Sequence, residues 1–280
     1  MGRTVWYPGH MARGERKLGE VVDKLDVLVE VRDARAPFST SSPLMSGKSG
    51  LSRLRPVFLV LSKKDLADPD RTGVWLDGLR AGAGYADVKA LDLHNDGVGA
   101  LISTMMKLRP VHRELRVGVV GIPNVGKSMF LNKIVGRSRA KVGGIPGITR
   151  EVGWYKGNGF LVVDSPGILD PHSGPGVHQV LSWLGCAKAD VVGGYENAAV
   201  ALIRFLMARL LWGKVVDVWS LPDSEDALES VGRRLGCLVA GGVVNRELAA
   251  RRFLESFASG KLAPVTLELP GDPIHAALNI

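Results

Sequence analysis

A chain of 280 residues, 46% hydrophobic and 23% charged, has the ordinary composition of a soluble globular protein with one large or two moderate domains. Its formal charge of +8 is uneven: residues 1–179 hold 26 Lys and Arg against 17 Asp and Glu, and residues 180–280 hold 10 against 11. Residues 1–18 are polar and basic with no apolar core, so no secretory signal is expected, and Arg204 and Arg209 cut the most apolar run, 198–212, into pieces too short to span a bilayer.

No membrane partner and a cytoplasmic location are therefore expected. Cys186 and Cys237 match no metal-ligand spacing and read as reduced core thiols. The basic excess is densest over 127–156, where seven Lys and Arg face one Glu, and such a field suits a polyanion such as RNA.

In chain order, 27–31 and 57–61 are short aliphatic runs that read as buried parallel strands. A weaker strand over 88–93 precedes a helix over 99–108, and Arg109-Pro110 breaks the chain. The strand 117–120 feeds a glycine-rich loop, a helix follows over 127–135, and the strand 160–163 ends at Asp164. Alternating strands and helices of this kind predict a doubly wound α/β domain. After a Pro, Gly and Ser-rich loop at 171–176, helices are expected near 177–186, 196–211, 225–235 and 246–259, with Asp223 and Asn245 as N-caps of the last two. One strand is expected over 265–269. The division falls between an α/β domain, 1–174, and a helical domain, 175–280.

Four sequence strings carry chemistry. Gly121-Ile122-Pro123-Asn124-Val125-Gly126-Lys127-Ser128 is a phosphate loop with a strand before it and a helix after it. Its backbone N–H groups, from Asn124 through Met129, suit phosphate oxygens, Lys127 suits the β/γ oxygens, and Ser128 can ligate Mg²⁺. Asp164-Ser165-Pro166-Gly167, beginning 37 residues after Lys127, supplies a carboxylate for Mg²⁺ and, at Gly167, an N–H for the γ-phosphate. Thr149, in a Gly-rich turn, is the candidate Mg²⁺-binding threonine of a first switch.

Ser62-Lys63-Lys64-Asp65 has the form of a guanine-reading motif. Asp65 would accept from guanine N1 and N2 and so reject adenine, and Lys63 would pack along the base and phosphate loop. Ser62 stands where asparagine is usual, and its shorter hydroxyl predicts a poorer bridge and weaker guanine affinity. The third base-reading element is expected near Leu91-Asp92-Leu93, without the usual Ser-Ala pair.

The order of these strings is unusual, because the guanine motif precedes the phosphate loop. A doubly wound sheet survives such a cut, since its loops all lie at the carboxyl ends of the strands. No glutamine follows Gly167, only Ile168 and Leu169, which predicts slow intrinsic hydrolysis. Asn124 suits a K⁺ ion beside the phosphates and equally suits a loop-shaping role.

The motif order, with Trp6-Tyr7-Pro8-Gly9-His10-Met11 and Arg32-Asp33-Ala34-Arg35-Ala36-Pro37, resembles the circularly permuted GTPases of the YlqF/RbgA type over nearly the whole chain. That resemblance implies a circularly permuted, doubly wound P-loop GTPase sheet followed by a small helical RNA-binding domain. It implies GTP and GDP as ligands, Mg²⁺, and binding to a large ribosomal subunit precursor and its rRNA. It also implies GTP hydrolysis stimulated by that particle, with His10 in place of the missing glutamine. Ser62 departs from the family pattern, and so does the helical domain, which lacks net positive charge. A monomer is expected. A non-hydrolysing, nucleotide-gated rRNA-binding scaffold stays open as the alternative.

Overall fold

The computed structural model describes residues 19, 21–45, 55–82, 84–136, 153–165, 167–170, 173–221 and 225–271. These fall into two compact units that divide between residues 171 and 172.

The first unit is built on a six-stranded sheet of order β3-β2-β1-β4-β6-β5. Its strands are β1 (Val27–Asp33), β2 (Val57–Ser62), β3 (Asp87–Leu91), β4 (Leu115–Val120), β5 (Trp154–Lys156) and β6 (Phe160–Asp164). Every neighbouring pair is parallel except β5 with β6. Its helices include α1 (Pro69–Ala81), α2 (Gly99–Met106) and α3 (Lys127–Val135). The chain winds outward from β1 through β2 to β3, then returns to β4 on the other side of β1. The crevice at the carboxyl ends of β1 and β4 is thus the topological switch point, where such sheets bind ligands.

Register decides what stands at that edge. Asp33 pairs with Ser62 and Ser62 with Leu91, so the ends of β1, β2 and β3 form one row. Asp164 at the end of β6 pairs with Val119 of β4, one residue before that strand ends.

Aliphatic side chains fill β1 and β2, and both strands are buried along their whole length, as central parallel strands covered on both faces must be. The strand reading that stopped at residue 31 was too short, because Arg32 and Asp33 continue β1. Buried charges persist there because they are paired. Arg32 Nη2 lies 2.8 Å from Glu30 Oε2 and donates to Tyr85 Oη at 2.6 Å, while Nη1 donates to Pro37 O at 3.1 Å. Glu30 Oε1 accepts the N–H of Ser42 at 2.8 Å. The loop after β1 is thereby pinned to the strand from which it emerges.

The helical unit contains α4 (Pro175–Trp183), α5 (Tyr195–Ala208), α6 (Trp212–Trp219), α7 (Ala227–Arg234) and α8 (Arg246–Ala258). Trp183 packs on Phe205 at 5.2 Å between ring centroids, and Phe253 makes edge-to-face pairs with Trp212 and Trp219 at 6.2 and 6.1 Å. Asn245 caps α8 by accepting the Leu248 N–H at 3.0 Å. Asp226 caps α7 by accepting the Glu229 N–H at 3.1 Å, whereas Asp223 lies outside the described residues. Arg246 ties the caps together through Asp226 and through Glu196 at 2.6 Å.

Two expectations are corrected here. The helix read over 196–211 breaks after Ala208, because Leu210 adopts φ 55° and is 91% exposed, the left-handed geometry that ends helices. The strand read over 265–269 does not form: Val265, Thr266, Leu267 and Glu268 are buried but belong to no sheet. A short buried run of this kind reads like a strand, because apolar content alone cannot distinguish burial from strand pairing. Among the described residues, no helix is long and apolar enough to cross a membrane.

Candidate functional site

The phosphate loop leaves β4 at the switch point. Gly121 passes so close to β1 that a Cβ there would meet Val31 O at 2.5 Å, so only glycine fits. Asn124 at φ 60° and Gly126 at φ 95° turn the chain through left-handed geometry into α3. The first N–H groups of that helix, from Lys127, Ser128 and Met129, have no intrahelical acceptors. Lys127 Nζ donates to Ile122 O at 2.7 Å, so the ammonium is folded back over its own loop. Ser128 and Met129 are exposed, and Val125 is buried.

The guanine-type string ends β2 beside this loop. Ser62 is fully buried, and its Oγ lies 2.5 Å from Val125 O and 2.9 Å from Arg32 O. One hydroxyl proton serves one of these carbonyls at a time. Lys63 adopts φ 55° and ψ 38° and places Nζ 2.9 Å from Asp33 Oδ2. Asp65 sits in the short 3₁₀ turn Lys64–Leu66, exposed, with no hydrogen bond or ion pair among the described residues.

The loop after β3 closes on the same edge. Asp92 Oδ1 accepts the His94 N–H at 2.8 Å, and Asp92 N–H donates to Asp96 Oδ2 at 2.9 Å, which rounds the loop into a turn. Lys64 Nζ reaches Asp96 Oδ2 at 2.6 Å from the guanine-type string. Lys133 Nζ on α3 donates to Leu93 O and His94 O at 2.9 and 3.1 Å. Both lysines therefore hold the loop against β2 and α3. The Lys64 ammonium also helps hold the half-buried Asp96 carboxyl below its usual range.

On the other side of β4, Asp164 ends β6 and the Ser165 N–H donates to Val119 O at 3.1 Å. Gly167 presses on the phosphate loop, where a Cβ would come within 2.7 Å of Pro123 N. Ile168 is buried. The structure thus brings together residues 62–65, 121–129, 164 and 167 at one edge of the sheet. His10 and Thr149 lie outside the described residues.

Mg²⁺ has suitable partners in this arrangement. Among the described residues no cluster of three His, Cys, Asp or Glu exists, and Mg²⁺ is commonly held by one or two side chains together with phosphates. Ser128, at the start of α3, and Asp164, at the end of β6, are the described groups of that type.

Asp33 and Arg35, in the string that carries the family resemblance, were given no role by the sequence and stand at the same edge, at the end of β1. Burial alone would push the Asp33 carboxyl up, but Arg35 and then Lys63 outweigh it and hold it well below the usual carboxylate range. The signal was a charged string at the end of an aliphatic strand, which reads equally well as a solvated loop.

Comparison with known proteins adds to this geometry. Residues 116–199 match a family model described as 50S ribosome-binding GTPase. A Bacillus pumilus protein called ribosome biogenesis GTPase A is 30% identical over 95% of this chain and 98% of its own length. The Thermotoga maritima protein of the same name is 31% identical over 95% of each chain. The crystal structure of GNP-bound YlqF from T. maritima superimposes with a TM-score of 0.69 at 25% identity, covering 93% of this chain and 99% of its own.

Proposed function

The chain belongs to the ribosome biogenesis GTPase A (YlqF) family, and we propose that it is a GTP-hydrolysing assembly factor of the large ribosomal subunit. The observation that carries this reading is the meeting of a guanine-type string and a phosphate loop through Ser62 and Val125.

In this reading Asp65 selects guanine, and Lys127 with the N–H groups of 124–129 binds the phosphates. Ser128, Thr149 and Asp164 hold Mg²⁺, which neutralises charge on the β and γ oxygens. The Gly167 N–H meets the γ-phosphate. Ile168 offers no side-chain hydrogen bond to an attacking water, so His10 supplies the catalytic group in hydrolysis stimulated by the ribosomal particle. Asn124 helps hold K⁺ beside the phosphates. The helical unit contacts rRNA, together with the basic stretch 127–156, in a monomeric cytoplasmic protein.

Co-sedimentation with large-subunit precursors tests the partner. Retention with a non-hydrolysable GTP analogue and release with GDP is expected, whereas equal retention with both, or preference for ATP, contradicts the reading. Nucleotide-gated binding without hydrolysis would favour a scaffold, a role that the missing glutamine permits.

A further inference from the structure

Asp33 is a fully buried carboxylate on the central strand, and it holds two cations at once. Arg35 approaches it with its backbone N–H, Nε and Nη2 at 3.0, 3.0 and 2.8 Å. Lys63 Nζ shares Oδ2 at 2.9 Å. The turn that presents this carboxylate is closed by Thr40, whose Oγ1 accepts the Asp33 N–H at 3.0 Å and donates to Ala36 O at 2.7 Å. Arg35 is itself buried and cannot withdraw without stranding a charge. The Lys63 side chain is 24% exposed and is the partner that reaches the surface.

Sheet order gives the pairing its place. β1 separates β2, which ends in the guanine-type string, from β4, which ends in the phosphate loop. A nucleotide with its base near the end of β2 and its phosphates on β4 must cross the carboxyl end of β1. The Lys63 side chain, running from β2 to Asp33 on β1, crosses the same gap. Its backbone stands in left-handed geometry that a lysine adopts only when its surroundings hold it there. Two cations on one carboxylate also leave the spot net positive, so the anchor does not repel phosphates.

We propose that Asp33 is a positioning residue for guanine nucleotide recognition: it anchors the Lys63 ammonium, so that the lysine stem forms a fixed shelf across the end of β1. The inference rests on the reading of Lys63 as a nucleotide contact.

The test is GDP affinity by calorimetry for the wild type, Asp33→Asn, Lys63→Met and the double variant. Lys63→Met keeps the apolar stem and removes only the anchored group. Each single variant is expected to bind about tenfold more weakly, the size of one lost charge-assisted hydrogen bond, and the double variant no more weakly than either single one. Additive losses, or Lys63→Met binding like the wild type, overturn the proposal. Should Asp33→Asn not fold, the wild-type GDP complex decides by NMR. The Lys63 ammonium signal, assigned by its loss in Lys63→Met, is expected to exchange its protons slowly, and fast exchange overturns the anchor. A wild type that binds no guanine nucleotide removes the premise as well, and its own titration distinguishes that failure from the others.

Discussion

Ser62 Oγ lies 2.5 Å from the carbonyl oxygen of Val125, joining the end of β2 to the phosphate loop. The shorter serine hydroxyl therefore reaches the loop that the usual asparagine would have to bridge. Gly126 beside it is required by its backbone, at φ 95°, since a Cβ there would meet the Ser62 side chain only at an ordinary 3.6 Å. Ser62→Ala leaves Val125 O and Arg32 O without this donor in a buried setting. A loss of about 1–3 kcal/mol in thermal stability is expected, with several-fold weaker GDP binding. Unchanged melting and affinity would show the contact to be idle.

In the proposed reading, Gly167 separates the two nucleotide states through its N–H on the γ-phosphate. Adding a Cβ, as in Gly167→Ala, drives it against Pro123 N and Cα, both backbone atoms that cannot swing aside. The turn must then retreat from the phosphate loop. Affinity for a GTP analogue is expected to fall about tenfold, one lost hydrogen bond to a charged group, while GDP affinity is kept. Fluorescent-nucleotide titration reads both values, and an equal loss for both nucleotides would contradict a γ-phosphate role.

The core of the helical unit can be tested without touching the nucleotide edge. Phe253 is fully buried, with the rings of Trp212 and Trp219 against it. Phe253→Ala is expected to destabilise that unit by about 3–5 kcal/mol in denaturant unfolding, through lost contacts and a cavity. GDP affinity is expected to stay at the wild-type value.

Acid stability follows from Asp33. Burial opposes its ionisation, yet Arg35 and Lys63 hold it well below the usual carboxylate range. The unfolded chain therefore takes up the proton first as pH falls, and folding loses stability with it. Asp226 behaves in the same direction, with Arg246 outweighing its burial. The melting temperature is expected to be flat from roughly pH 5 to 8 and to drop below about pH 4. Asp33→Asn is expected to flatten the acid limb, and an unchanged limb would remove Asp33 from this balance.

The aliphatic runs of β1, β2, β4 and β6 were legible because central parallel strands need little besides burial. The glycines of the phosphate loop were legible because close backbone approach leaves no other residue possible, as at Gly121. Composition could not show that Glu30, Arg32 and Asp33 lie inside, since charged residues read as strand ends unless their partners are known. Glu30 pairs with Arg32 and Asp33 with Arg35 two residues away, but the other partners, Tyr85 and Lys63, come from distant parts of the chain. β5, three residues long and set by antiparallel pairing to β6, and α6, hidden behind the turn at Leu210, left no local signal.

The most direct measurement is GTP hydrolysis by the wild type and His10→Ala, each with and without purified large ribosomal subunits. Slow turnover alone, strong acceleration by subunits, and loss of that acceleration in His10→Ala are the expected results. Fast turnover by the isolated protein, or bound GTP that subunits do not help to hydrolyse, would contradict a particle-stimulated GTPase.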